Sequence, residues 1–368
     1  MSWNWQQANW PDFIYKASQF VGGEETFFLQ AGVWIGTCAH ISQEDQTQIM
    51  VDLITNEAIK TSEIEGELLN RESLKSSIRK NFGLPTNITR TPPAERGMSE
   101  MRLDLYRQYH DALTHETLYN WHHLLMAGRR DITDVGRYRT HEEPMQIISG
   151  PVHKPKVYFE APPSEGVYKE MDRFIAWFNR TSPEGGTPLP PLTRASMAHF
   201  YFVTIHPFED GNGRIGRALV EKVLSQSLEK PVLLGLSQVL SDDKKAYYSA
   251  LEKHNKTLEI TSWIAFFSDV ILKAQNQAQN LVDFLIQKTK LYERVENKLN
   301  ARQAKVVARL FQEGPAGFKG GLSAENYTRI TSTSQSTATR DLHEMVTLGV
   351  LIKKGELKHT RYWLNISN

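Results

Sequence analysis

Residues 206–217 read HPFEDGNGRIGR, and apolar helical runs lie on both sides of them, at 192–205 and 213–228. Pro207 cannot continue a helix, and glycines at 211 and 213 free the backbone for a tight turn, so one helix must stop and another begin here. In the second run Ile215, Ala218 and Leu219 face a core, while Arg214 and Arg217, three apart, lie on nearly one helix face. Further helical periodicity recurs along most of the chain, which makes a mainly α architecture the expected fold class.

The turn also carries chemistry. Gly211, Asn212 and Gly213 supply uncovered N–H groups at the positive end of a helix dipole, a ready anion site. Two arginines beside those amides suit a polyphosphate. Asp210 would repel phosphate unless a divalent cation lay between them, and Mg²⁺ binds through one or two carboxylates plus phosphate oxygens. Asp210 is therefore the expected metal ligand. His206, whose imidazole ordinarily titrates near about 6.5, is placed to take a proton from a hydroxyl attacking the bound phosphate.

Plainer readings of these residues stand beside this one. Asp210 could cap the helix, and a histidine next to proline could be structural. Residues 211–216 also fit G-x-G-x-x-G, but no acid ends the apolar run at 232–234, and residues 207–210 interrupt the strand-to-helix turn that a dinucleotide fingerprint needs. No G-x-x-x-x-G-K-[ST] occurs.

Lys+Arg 43 against Asp+Glu 42 leaves a net charge of +1, so binding to nucleic acid would need a local patch rather than a global field. Cys38 is the single cysteine, which excludes an internal disulfide. The remaining histidines lack zinc-ligand spacing. With no basic-then-apolar start and no run of about 18 apolar residues, the expected location is cytoplasmic, with no membrane partner.

Trp3, Trp5, Trp10, Phe13, Phe27, Phe28 and Trp34 crowd the first 35 residues, as a small core or a docking face. Helical spacing at 44–77 predicts two helices or one kinked one. Prolines at 85, 92 and 93 break the pattern, and helices resume at 95–112 and 116–126. Two β-rich runs, 145–149 and 156–160, around Gly150-Pro151 predict a hairpin. Helices follow at 167–179, 242–256, 260–300 and 301–311. A glycine-rich turn, a helix at 334–346 and runs at 349–355 and 361–364 then give the order of a winged helix. In that module Arg340 is opposed by Asp341 and Glu344, with Lys353, Lys354, Lys358, His359 and Arg361 on the wing, which leaves DNA binding and protein docking equally open.

The stretch 206–217 resembles, at every defined position, the H-x-F-x-[DE]-G-N-G-R-x-x-R signature of Fic-domain proteins, a mostly helical family that typically transfers AMP from ATP to a target hydroxyl. The resemblance implies His206 as general base and Asp210 as the Mg²⁺ ligand. It implies a nucleotide-binding set of Glu65, Gly211, Asn212, Gly213, Arg214, Ile215, Gly216, Arg217, Tyr247 and Asn255. Within it, Gly211 to Gly213 and Arg214 cradle the phosphates, Arg217 holds the γ-phosphate, and Tyr247 and Asn255 contact adenine and ribose; Tyr247 as ordinary core is the plain alternative. Phe208 would anchor the loop.

TSEIEG at 61–66 resembles the [ST]-x-x-x-E-[GN] inhibitory helix, which makes Thr61, Glu65 and Gly66 the implied inhibitory residues, Glu65 pairing with Arg217. Gly66 is read inside the helix, small beside a nucleotide; a solvated acidic helix is the alternative. The hairpin falls where the family has a flap, and Lys156, Val157 and Tyr158 are the expected edge for a target segment. Residues 3–20 resemble the N-terminal extension of one Fic subgroup.

The implied organisation is an extension at 1–100 with its inhibitory helix at about 48–80, a Fic core at 101–290 with a small β-hairpin flap, and a winged helix at 291–368. The implied reaction is transfer of AMP from Mg·ATP to a Ser, Thr or Tyr hydroxyl of a target protein, the chain itself included. Two rivals stay open: removal of AMP, with Glu65 positioning a water, and a nucleotide-sensing transcriptional regulator binding DNA through 300–368. A homodimer stays open as well.

Overall fold

Helices form nearly all the regular structure, as the periodicity predicts. The computed structural model describes residues 2–39, 41–86, 90–149, 156–315 and 317–366, and the chain divides into two compact units, Met1–Gln277 and Ala278–Asn368. The predicted hairpin centre, Gly150-Pro151, lies outside the described residues.

The first unit opens with the aromatic segment and α1 (Val21–Ala39), then α2 (Gln43–Ile64), α3 (Arg71–Asn81), α4 (Pro93–Arg107) and α5 (His115–Leu125). β1 (Gln146–Ser149) and β2 (Lys156–Glu160) pair antiparallel, with an irregularity between Ile147 and Ile148. There follow α6 (Ser164–Arg180), α7 (Pro191–Ile205), α8 (Asn212–Leu228), α9 (Leu236–Asp242), α10 (Lys244–His254) and α11 (Thr261–Arg294), the last passing the boundary between the units. Residues 44–77 thus form two helices. The run predicted at 260–300 ends at Arg294, and α1 and α9 had no predicted counterpart.

Helix α7 is buried almost all round, the pattern of a central helix. It packs against α8, where Gly216 leaves room for His199 and Val203 at 3.1–3.2 Å from the place a Cβ would take. Phe174, Phe178, Trp263 and Phe267 close the same core. Three of the seven N-terminal aromatics join it: Trp10 stands edge-on to Tyr201 at 5.2 Å, Phe13 to Phe200 at 5.7 Å, and Phe27 is fully buried, while Phe28 is exposed.

The second unit contains α12 (Ala301–Gln312), α13 (Ala324–Thr331), α14 (Gln335–Thr347) and the antiparallel pair β3 (Leu351–Lys354) and β4 (Arg361–Leu364). Val306, Val307, Leu310, Tyr327, Leu342 and Met345 form its core. Helix α13 lies where only a glycine-rich turn was expected. The sequence reading also set Asp341 and Glu344 against Arg340; Asp341 does feel the Arg340 charge, but the hydrogen bonds of both acids go elsewhere. Asp341 is buried and accepts from Arg302 at 2.8 Å and Tyr327 at 2.9 Å, while Glu344 accepts from Gln303 at 2.9 Å.

Candidate active site

Helix α7 ends at His206 in the left-handed region, φ 50° and ψ 58°. A non-glycine residue there costs on the order of 1–2 kcal/mol, so neighbouring contacts must hold it. Arg139 supplies them. It is almost fully buried, its Nε donates to the His206 carbonyl at 2.9 Å, its Nη1 to Ser164 Oγ at 2.8 Å, and its amide to the Pro207 carbonyl at 2.9 Å. Two residues on, Phe208 is fully buried and stacks on His122 with centroids 4.2 Å apart. Asn212 closes the loop by accepting from the Phe208 amide at 3.0 Å and donating to its carbonyl at 2.8 Å. Gly211 takes φ +83°, a conformation that favours glycine, and Met126 Cε lies 3.0 Å from the position of a Cβ. No side-chain hydrogen bond caps α8, whose N-cap is Gly211.

Burial pushes the His206 imidazole down to about 4, against the opposing Val203 carbonyl. It is therefore neutral near pH 7. Its Nδ1 lies 3.2 Å from that carbonyl and takes the N–H of this contact, which leaves Nε2 as a proton acceptor. Asp210 does not cap the helix across its first turn; its Oδ1 accepts from the adjacent Gly211 amide at 2.5 Å. Burial works to raise its carboxyl, but Arg214, that amide and Arg129 hold it below the usual range. Its Oδ2 accepts from Arg129 Nη1 at 2.9 Å, and Arg129 also forks onto Asp131 at 2.7 and 2.6 Å. One half-exposed carboxylate already holding a cationic group fits a hard divalent ion whose other ligands come from substrate and water.

The C-terminus of α2 lies against this loop. Arg217, 1% exposed, donates from Nη2 to Glu65 at 2.7 Å and to the Thr61 carbonyl at 2.9 Å, and from Nε to Thr61 Oγ1 at 2.7 Å. A Cβ on Gly213 would collide with the Glu65 carboxylate, so Glu65 sits directly over the start of α8. Gly66 is not inside a helix, as its sequence reading had it. The helix ends at Ile64 and Gly66 takes φ +83°, with its amide on the Glu63 carbonyl at 3.1 Å and the Glu67 amide on the Ser62 carbonyl at 3.0 Å. That is a Schellman end, which explains the glycine without any nucleotide. Glu67, which the sequence reading passed over, pairs with Arg214.

Of the other expected site residues, Tyr247 on α10 is buried and its hydroxyl meets His199 Nε2 at 2.8 Å. Asn255, the cap residue of α10, donates to the Tyr158 carbonyl at 3.2 Å and so ties α10 to β2. Ile215 is fully buried, and Gly216 faces His199 and Val203 of α7. On β2, Lys156 is exposed, its Nζ 3.4 Å from Glu252 and 4.1 Å from the Tyr158 ring centroid; Val157 is 38% exposed. A cavity of about 320 Å³ lies elsewhere, lined by Trp34, Ile49, Met50 and Tyr106 among others, and no residue of the 206–217 loop borders it.

Sequence reasoning missed Arg129, Arg139 and Glu67. Arg139 had only a slight signal, as the second of two arginines flanking Tyr138. Glu67 had one too, since a helix-ending glycine at 66 puts the acids on both sides of it at the same terminus.

Residues 112–224 match the family model described as Fic/DOC family, and the loop with its flanking helices is a Fic domain. Residues 3–84 match a second family, described as a domain of unknown function (DUF4172). A protein adenylyltransferase fic-1 of Caenorhabditis elegans is 26% identical over 199 residues, 53% of this chain and 35% of that one. A protein adenylyltransferase Fic of Nematostella vectensis is 31% identical over 133 residues, 36% of this chain and 27% of that one. The chain thus spans 35% and 27% of the lengths of these curated relatives. The crystal structure of a Fic family protein from Desulfovibrio desulfuricans G20 shares the fold, with a TM-score of 0.54 at 20% identity over 96% of this chain and 98% of that one. Among the described residues no helix is long and apolar enough to cross a membrane.

Proposed function

We propose that this chain is a protein adenylyltransferase that moves AMP from Mg·ATP to a Ser, Thr or Tyr hydroxyl of a target protein, itself included, and that Glu65 holds the reaction in check. The observation that carries this reading is the uncapped start of α8 beside two buried arginines, each holding a carboxylate where a phosphate would bind. The names of the relatives support the same chemistry.

In the proposed reaction the target hydroxyl oxygen forms a bond to the α-phosphorus while the bond from that phosphorus to the β-bridging oxygen breaks, and pyrophosphate leaves. His206 Nε2 takes the hydroxyl proton, a task suited to an imidazole that burial keeps neutral. The α8 amides and Arg214 hold the developing charge, and Arg217, once released from Glu65, holds the terminal phosphate. Asp210 would hold Mg²⁺, which neutralises phosphate charge when bound. The exposed edge at Lys156 and Val157 would present the target segment by strand addition.

The test is to incubate wild-type and Glu65→Gly protein with ATP labelled at the α- or the γ-phosphate. Label is expected in protein from the α position alone. Label from the γ position would mean phosphoryl transfer, and release of AMP from a premodified target without incorporation would favour the reverse reaction.

A further inference from the structure

The C-terminus of α2 presents two acids to the loop, and they divide its arginines between them. Glu65 pairs with Arg217 and Glu67 with Arg214. The geometry comes from the helix end. Gly66 in the left-handed region turns the chain sharply, the Glu67 amide returns to the Ser62 carbonyl at 3.0 Å, and Lys244 donates to the Ile64 carbonyl. Beyond the turn, the Asn70 amide donates to Glu95 at 2.8 Å and the Asn70 side chain caps α3. The segment 65–70 is therefore fixed at both ends, and Glu67 does not reach Arg214 by chance rotation of a free loop.

Burial makes the pairing consequential. Arg214 is 2% exposed while Glu67 is 24% exposed, and the other carboxylate near Arg214, Asp210, stands at 3.4 Å. A buried guanidinium that loses its carboxylate is left uncompensated, and an arriving anion then gains what the carboxylate supplied. We infer that Glu67 is a second inhibitory residue. It guards Arg214 against the inner phosphates of any nucleoside diphosphate or triphosphate, while Glu65 guards Arg217 against the terminal one. The inference rests on the proposed nucleotide site and divides its inhibition into two separable parts.

The division is tested with ADP, which lacks the terminal phosphate, measured beside ATP by calorimetry with Mg²⁺ and without regard to transfer activity. Glu67→Gln and Glu67→Ala each free the Arg214 guanidinium from its charged partner and are expected to tighten ADP binding about tenfold or more. Glu65→Gly is expected to tighten ATP more than ADP, since Glu65 holds Arg217 as well as lying over the start of α8. ADP affinity unmoved in both Glu67 variants, with ATP still tightened by Glu65→Gly, would overturn the inference and leave the nucleotide site standing. A gain in Glu67→Ala alone would make the effect steric and overturn the electrostatic account. Failure of every folded variant to bind either nucleotide would remove the site itself and the inference with it.

Discussion

Around His206 the polar side chains are held before any ligand arrives: Arg139 by backbone carbonyls and Ser164, Asn212 by Phe208, Asp210 by Arg129, Arg217 by Glu65 and Thr61. The β1–β2 hairpin is built differently. Ile147, Ile148 and Val157 stand exposed, and the C-terminal half of β2 is anchored through its main chain, by Trp5 on the Glu160 carbonyl at 2.6 Å and Asn255 on the Tyr158 carbonyl. A reacting centre needs its groups fixed to a fraction of an ångström, which only a closed network supplies. An edge that is to accept another chain must keep main-chain groups and apolar side chains uncovered. One region is spent on geometry, the other on access.

Substitutions in the two regions should therefore fail in different ways, and the largest effect belongs to the loop. His206→Ala is expected to lower AMP transfer by about a hundred- to ten-thousand-fold while ATP affinity stays unchanged, since the imidazole moves a proton and holds no phosphate. With His206 titrating at about 4, the wild-type rate should stay level from neutral to mildly acidic pH and fall as pH drops toward that value, where the imidazole becomes protonated. Equal loss of binding and transfer in His206→Ala would make the residue structural.

Arg139→Lys comes next. Lysine keeps the charge but not the planar fork that reaches His206, Ser164 and Pro162 together. A misplacement of roughly 1 Å can cost about a hundredfold in rate, and a loss of that order with protein fold retained is expected. A full rate would show that the left-handed turn at His206 holds without its clamp. The smallest effect belongs to the hairpin. Val157→Asp is expected to lower modification of a protein target several-fold and leave ATP affinity untouched. Altered nucleotide binding in that variant would erase the contrast between the two regions.

What could be read from the sequence follows how local each contact is. The loop, the helices on both sides and the hairpin strands rest on spacing within a few residues, and Phe208 as an anchor follows from an apolar ring in a polar loop. The clamps do not. Arg217 meets Thr61 across 156 residues and Arg214 meets Glu67 across 147, so periodicity contains no trace of them. Thr61 and Glu65 were found only because a motif marked them, and Glu67, outside the motif, was not. Gly66 shows a second kind of limit: its place in the motif suggested a nucleotide, whereas its φ of +83° gives it a helix to end. Asp341 shows a third: it neighbours Arg340 in sequence and feels its charge, yet its hydrogen bonds go inward to Arg302 and Tyr327.

The central claim is that Glu65, by holding Arg217, keeps the terminal phosphate from binding productively. It is tested most directly by comparing self-modification with Mg·ATP, followed by intact mass, in wild type, Glu65→Gly and Glu65→Gly combined with Arg217→Ala. The expected result is strong activation in the single variant and its loss in the double variant, because freeing Arg217 matters only while Arg217 is present. Activation that survives the loss of Arg217, or no activation in Glu65→Gly, would contradict the account.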